Sequence, residues 1–327
     1  MMTLTDTFGR MHNYLRISLT HRCNFKCIYC MPEKHVASPA KQLMTADEIE
    51  SFTKIFYNLG VNKIRLTGGE PLIRKDAGEI IERLSKYPIE LTITTNGAQL
   101  HRFISSLKKS GIHTINISLD TLKADRFLAI TKTNLFSQIW SNIQQILAEG
   151  FKVKINMVVM RGTNDDEIID FVRLTKNTRL EIRFIEYMPF EGNLWESEKV
   201  MAQSEVLKLI ATKYKFNSMP RSIHDTAEHY QVEGHLGNFA TISTMSHPFC
   251  SGCNRIRLTA DGKMKNCLFS ENETDLLTAY RKGEDILPLI KQSISKKALA
   301  TGGQFHGDFA GINTAKIHNR SMVEIGG

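Results

Sequence analysis

Through roughly the first two thirds of the chain, short runs of alternating apolar and polar residues recur between stretches of helical period. The runs at residues 14–20, 62–67, 90–95, 113–119, 152–160 and 180–186 are rich in β-branched residues and predict six strands. Thr45 and Glu48 form a capping box that opens a helix closed by Gly60. Further helices are predicted over 77–86, 99–109, 135–149 and 165–176, with Asp165, Asp166 and Glu167 suited to the last one's N-terminus. Strands that alternate with helices make a parallel sheet with right-handed crossovers. Six such units, not eight, predict an α/β fold, an incomplete (β/α)6 barrel.

The two faces of each predicted strand differ. Arg16 and Ser18 oppose Leu15, Ile17 and Leu19, while Lys63 and Arg65 oppose Ile64 and Leu66. Thr92 and Thr94 oppose Leu91 and Ile93, and Asn116 and Ser118 oppose Ile115 and Ile117. Lys154 and Asn156 oppose Val153 and Ile155, and Arg183 shares a face with Glu181. An ordinary parallel sheet is apolar on both faces. A barrel whose polar lumen admits a ligand explains the pattern; an antiparallel sheet with one wet face is the alternative. In the barrel, chemistry belongs at the C-terminal ends of the strands.

The pattern changes after a helix near 203–213. Short strand patterns follow around 229–243, then helices. This divides the chain into an N-terminal arm (1–13), a partial barrel (14–216) and an α+β C-terminal unit (217–327). With 327 residues and 42% hydrophobic content, a large core can be buried. No apolar run approaches the roughly 18 residues of a membrane span. No charged-then-apolar signal opens the chain, so a cytoplasmic protein with no membrane association is expected. The net charge of +8 suits an anionic partner, but Lys and Arg never form a block of five. A small anion is therefore favoured over nucleic acid.

Six cysteines fall into two triads, Cys23-x3-Cys27-x2-Cys30 and Cys250-x2-Cys253-x13-Cys267. A closed zinc site takes four ligands, so three thiolates leave a metal position open. Thiolates also hold iron–sulfur clusters, in which an iron without a protein ligand can bind a small molecule. Two triads thus suggest two clusters facing two ligands. His247 could instead complete a Cys3His zinc site at the second triad. His21 and His35 flank the first, whose spacing does not match paired zinc knuckles. Disulfides are the weakest reading, since nothing places the chain in an oxidising compartment.

The stretch Tyr14 to Pro32, with its cysteine triad and Tyr29 before the last cysteine, resembles the signature of radical SAM enzymes. Both triads, Arg255-x-Arg257, the Thr67-Gly-Gly-Glu-Pro71 block and the terminal Gly326-Gly327 together resemble one family, the GTP 3′,8-cyclases of molybdenum cofactor biosynthesis. The resemblance runs from Gly9 to the last residue. It implies two [4Fe–4S] clusters, one on Cys23, Cys27 and Cys30 that binds S-adenosylmethionine (SAM), and one on Cys250, Cys253 and Cys267 that binds GTP. It also implies SAM contacts at Tyr29, Gly69, Ser118 and Met188. GTP contacts are implied at Arg16, Arg65, Thr94, Lys154, Arg255, Ile256 and Arg257, with Lys63 and Arg183 beside them. The implied reaction begins with an external one-electron donor and reductive cleavage of SAM. The 5′-deoxyadenosyl radical takes hydrogen from ribose C3′, and C3′ attacks C8 to give (8S)-3′,8-cyclo-7,8-dihydroguanosine 5′-triphosphate. Gly326 and Gly327 would enter the site for the radical step, because residues without side chains fit a crowded mouth. A homodimer and delivery of the product to the cyclic pyranopterin monophosphate synthase are also implied. His21 departs from the family, which has Asp there. Rival readings are a different radical SAM enzyme with an auxiliary cluster and a non-catalytic zinc-binding interaction module.

Overall fold

A computed structural model of the chain describes residues 3–32, 38–305, 309–312 and 317–327; His35 lies outside them. Strands β1 (Tyr14–Ser18), β2 (Lys63–Thr67), β3 (Glu90–Thr95), β4 (Thr114–Ser118), β5 (Lys152–Val159) and β6 (Leu180–Glu186) stand where the alternation predicts them. Each pairs in parallel with the next, which excludes the antiparallel alternative. Helices α1 (Ala46–Asn58), α2 (Ala77–Leu84), α3 (Ile104–Lys109), α4 (Ala124–Thr131), α5 (Phe136–Ala148) and α6 (Ile168–Leu174) fill the crossovers, and α7 (Gln203–Ala211) follows β6. The capping box is formed: the Glu48 amide donates to Thr45 Oγ1 at 3.2 Å and the Thr45 amide to Glu48 Oε2 at 2.7 Å. Two predicted helices start late. Residues 165–167 make a separate tight turn, where the Glu167 carboxylate accepts from Thr121 Oγ1 and the Leu122 amide. Residues 100–102 do likewise before α3.

Leu15, Ile17, Ile64, Leu66, Ile93, Ile115, Ile117 and Ile155 are wholly buried, each stabilising the fold by roughly 1.5–3 kcal/mol. The opposite face lines a lumen. Arg65 on β2 and Arg183 on β6 repel each other, although four strand steps would part them by roughly 19 Å in a flat sheet. The sheet is therefore strongly curled.

Beyond α7 come β7 (Phe216–Ser218), β8 (Glu228–Val232), β9 (Asn238–Ile242), β10 (Arg255–Leu258), β11 (Lys263–Lys265) and β12 (Thr274–Asp275). Helices α8 (Leu276–Arg281), α9 (Leu287–Ser295) and α10 (Met322–Ile325) complete the chain. These strands extend the barrel sheet instead of forming one of their own, giving the order β12-β11-β10-β1-β2-β3-β4-β5-β6-β9-β8-β7. On one edge β9 continues β6 in parallel; on the other, β10 continues β1. No described helix is long and apolar enough to cross a membrane.

Candidate active site between two thiol triads

Strand direction sets the geography. Cys23, Cys27 and Cys30 follow the C-terminal end of β1. Cys253 precedes β10, which runs parallel to β1, so it lies at the N-terminal ends of the strands. Cys267 follows β11, antiparallel to β10, and returns to that same end. The two triads thus occupy opposite ends of the barrel, with the lumen between them.

At the first end the thiols are gathered in a low-dielectric loop. Burial pushes the Cys23 thiol up to about 11. Burial and then neighbouring thiols push Cys27 and Cys30 up strongly as well. The Gly-Gly-Glu block braces the loop: the Gly69 amide donates to Thr20 O at 2.7 Å and the Glu70 amide to Arg22 O at 2.9 Å. A Cβ at Gly69 would stand 2.3 Å from the Arg22 carbonyl oxygen, so only glycine permits this approach. Tyr29 donates to the buried Asp120 at 2.8 Å, and the other Asp120 oxygen accepts from the Val158 amide. Burial raises Asp120 to about 6. Asn193, which carried no sequence signal, donates to the carbonyls of both Tyr29 and Met188 and so binds those two segments together. Ser118 closes β4 beside Asn156. His21 sits near Asp261, its Nε2 at 3.7 Å from Oδ1, and its Nδ1 meets Ser38 Oγ.

The second triad is built from remote segments. Arg10, locked by Asp6 at 2.6 Å, donates to the carbonyls of Cys250, Ala298 and Leu299. Lys297, almost wholly buried, donates to Arg255 O at 2.8 Å and lies 3.5 Å from Cys253 Sγ. The Thr301 amide reaches Cys250 Sγ at 3.5 Å. Burial alone would raise the Cys253 thiol, yet Arg255 and then Lys297 bring it down to about 6. No local pattern marked Arg10 or Lys297; only the packing of the arm and of residues 297–301 brings them here.

All six cysteines are unpaired. Among the described residues no three His, Cys, Asp or Glu side chains converge as ligands of a single metal ion, and His247 Nδ1 faces Ser246 Oγ at 3.2 Å. A Cys3His zinc arrangement with His247 is thus not formed. Three thiols at each end, with amide and ammonium donors aimed at sulfur, form the donor set that iron–sulfur clusters use.

Between the ends, register stacks cations. Arg16 pairs with Arg65 on one side and Arg257 on the other, and Tyr14 with Lys63 and Arg255 one row below. Burial and then Arg257 press the Arg16 guanidinium well down from its usual range, and burial and then Arg255 bring Arg257 to about 10. Arginine keeps its proton, so the repulsion is held as affinity for an anion. Arg16 Nε, Thr94 Oγ1, Asn156 Oδ1 and both polar atoms of the Asn116 amide are buried without a hydrogen-bond partner. Such groups cost about 1–3 kcal/mol each unless something polar meets them.

Other expected contacts are already engaged. Lys63 pairs with Glu90 at 2.7 Å. Lys154 lies 3.5 Å from Glu181, which also holds Arg183 and meets His229 at 3.4 Å. Ile256 turns its side chain to the core beside Leu15, wholly buried, because alternation points it away from Arg255 and Arg257. Only its main chain borders the lumen.

The tail closes the first end. Val323 and Ile325 are buried, Ile325 within an apolar cluster that includes Phe190 and Trp195. Gly326, at φ +87°, lies against Ser18 and Thr67, and its carbonyl accepts from Arg257. A Cβ there would stand 2.5 Å from Thr67 Oγ1.

Residues 17–175 match the radical SAM superfamily and residues 180–301 match Molybdenum Cofactor Synthesis C. The chain is 42% identical to the mitochondrial GTP 3′,8-cyclase of Arabidopsis thaliana, over 99% of this chain and 83% of that protein. Identity to the GTP 3′,8-cyclase of Peptoclostridium acidaminophilum is 41%, over 90% and 92%. Molybdenum cofactor biosynthesis protein 1 of Dictyostelium discoideum is 43% identical, over 99% and 52%; the chain spans about half the length of that relative and of several like it. Among solved structures, Streptococcus suis SuiB shares the fold, with a TM-score of 0.62 at 18% identity over 90% of this chain and 68% of that one.

Proposed function

The chain belongs to the GTP 3′,8-cyclase family of the radical SAM superfamily, and from that premise we propose that it cyclises GTP to (8S)-3′,8-cyclo-7,8-dihydroguanosine 5′-triphosphate, the first step of molybdenum cofactor biosynthesis. One observation carries the reading: two thiol triads face each other along a lumen of buried, mutually repelling arginines. From Tyr14 to Ser18 the strand climbs roughly 13 Å, a span suited to one nucleotide reaching from one triad towards the other.

In this reading Cys23, Cys27 and Cys30 hold the first [4Fe–4S] cluster, with Tyr29, Gly69, Ser118 and Met188 around SAM. Cys250, Cys253 and Cys267 hold the second cluster. When bound, SAM on the first cluster supplies, after one-electron reduction, a 5′-deoxyadenosyl radical that abstracts hydrogen. The remaining work belongs to the chain. Arg16, Arg65, Arg255 and Arg257 bind the triphosphate, relieving their own repulsion. Lys154 and Arg183 contribute when the anion competes with Glu181, and Lys63 when it competes with Glu90. Thr94 and Asn116 offer the orphaned polar atoms that fix the sugar and base. Orientation of this kind would hold ribose C3′ and guanine C8 within reach of one another. The Gly326-Gly327 tail excludes water at the mouth.

Dispersed basic charge with an arginine-lined interior supports a nucleotide ligand over nucleic acid. We place the protein in the cytoplasm as a homodimer, served by an external one-electron donor and supplying the cyclic pyranopterin monophosphate synthase. The six unpaired thiols suit a reducing compartment, although the Arabidopsis relative is named mitochondrial. Anaerobic incubation with GTP, SAM and reductant, read by mass, tests the activity: the cyclised nucleotide and 5′-deoxyadenosine should appear together. Formation of 5′-deoxyadenosine with GTP left unchanged would point instead to a radical SAM enzyme with another substrate.

A further inference from the structure

The terminal helix α10 has four residues, far too few to persist by itself. Its own backbone bonds are three: Glu324 and Ile325 amides to Ser321 O, and Gly326 amide to Met322 O. Something must hold it in phase with the ends of β1 and β2. Directly before it, Arg320 makes a forked pair with Asp261, both nitrogen–oxygen distances being 3.0 Å, and its Nη2 lies 2.6 Å from Glu273. Asp261 sits in the β10–β11 turn and is itself fixed by Thr259 Oγ1 at 2.6 Å. Glu273 is held in turn by Lys265, whose side chain is fully buried. Asn319 adds a bond to Leu268 O at 3.0 Å. Arg320 and Glu273 border an open cavity of about 800 Å³ whose walls include Trp195, Lys263 and His318.

We propose that Arg320 is a positioning residue: the Arg320–Asp261–Glu273 cluster latches the tail to the β10–β11 hairpin and so sets Gly326 against Thr67 and Arg257. The hairpin also carries Arg257 and leads to Cys267. Tail, nucleotide-binding arginine and second triad therefore share one rigid mount. A forked guanidinium–carboxylate pair fixes orientation as well as distance, which a single lysine contact would not. The importance of the latch for turnover rests on the proposed role of the tail; its existence does not.

The test is hydrogen exchange of the Glu324, Ile325 and Gly326 amides in the anaerobically reconstituted full chain. Arg320→Gln should speed their exchange at least about tenfold, since one partner of a partly buried ion cluster is left uncompensated. Asp261→Asn should do the same to a smaller extent, because Glu273 still holds Arg320, and the double variant should be no faster than Arg320→Gln alone, because Asp261 reaches the tail only through Arg320. Iron content and GTP affinity should stay at wild-type values. Unchanged exchange in Arg320→Gln, or additive acceleration in the double variant, would overturn the latch. So would acceleration spreading to the Leu258 and Met264 amides, since Arg320 would then be holding the hairpin and not the tail. A released tail with wild-type cyclised product per 5′-deoxyadenosine would leave the latch standing and overturn the proposed role of the tail.

Discussion

Each end of the lumen holds three thiols, but the charged groups that face them differ in sign. At the first end, Asp120 and Glu70 stand nearby, both pushed up by burial, to about 6 and about 7, and Cys23 rises to about 11. At the second, Arg255 and Lys297 draw Cys253 down to about 6, although burial raises Cys250, and Arg10 grips the loop from behind. The first end suits a ligand that carries a sulfonium, the second a polyanion. Identical donor sets thus stand among different charged neighbours, and in the proposed reading that difference would set the direction of the substrate along the lumen.

The sharpest way to break the comparison is to erase one end. Changing Cys23, Cys27 and Cys30 together to Ala should abolish SAM cleavage outright and reduce iron from about eight to about four per chain. Iron analysis after anaerobic reconstitution reads this directly; retention of about eight irons would contradict separate clusters.

Next comes the tail, at the crowded end only. Gly326→Ala must place a Cβ against Thr67 Oγ1 at an unfavourable φ. Cyclised product should fall about 100-fold or more, as expected when a closing element is displaced by an ångström. GTP and SAM affinities, measured separately by equilibrium binding, should barely move. The cationic end answers to charge instead. Arg255→Ala or Arg257→Ala should weaken GTP binding about 10- to 150-fold, the loss of one charged hydrogen bond, with both clusters still formed.

The smallest effect is an acid sensitivity confined to the second end. Burial and then Lys297 hold His12 down to about 4, so it is neutral in the fold while an exposed histidine protonates near 6.5. A lowered folded value means that stability is intact above the unfolded value of about 6.5 and is lost progressively as pH falls towards 4. Between pH 6.5 and 5.5 the loss is about 1 kcal/mol, and His12→Gln should remove it. Thermal midpoints of the two proteins measured across that interval check this; parallel curves would refute it.

The comparison also explains what was legible in the amino-acid sequence. Alternation in β1 to β6 showed which side chains line the lumen, because period two maps directly onto the faces of a strand. The first triad and Gly69 were equally plain, since the loop and its brace both follow adjacent strands. The helix Ala124–Thr131 escaped: eight residues ending at a left-handed Lys132 give little periodic signal. The second end was legible only in its cysteines and arginines. That Arg255 and Arg257 share a face with Tyr14 and Arg16 depends on β10 pairing with β1, some 240 residues apart in the chain. Lys297, Arg10 and Asn193 owe their places to such closures, and the same pairing of β10 with β1 leaves only the main chain of Ile256 at the lumen.

The most direct test of two ends with two ligands is spectroscopic. With Cys23, Cys27 and Cys30 replaced by Ala, the reduced second cluster should show an electron paramagnetic resonance signal that shifts on adding GTP and ignores SAM. With Cys250, Cys253 and Cys267 replaced, the remaining signal should respond to SAM and ignore GTP. A single cluster that responds to both ligands, or a second triad that binds no iron, would contradict the account.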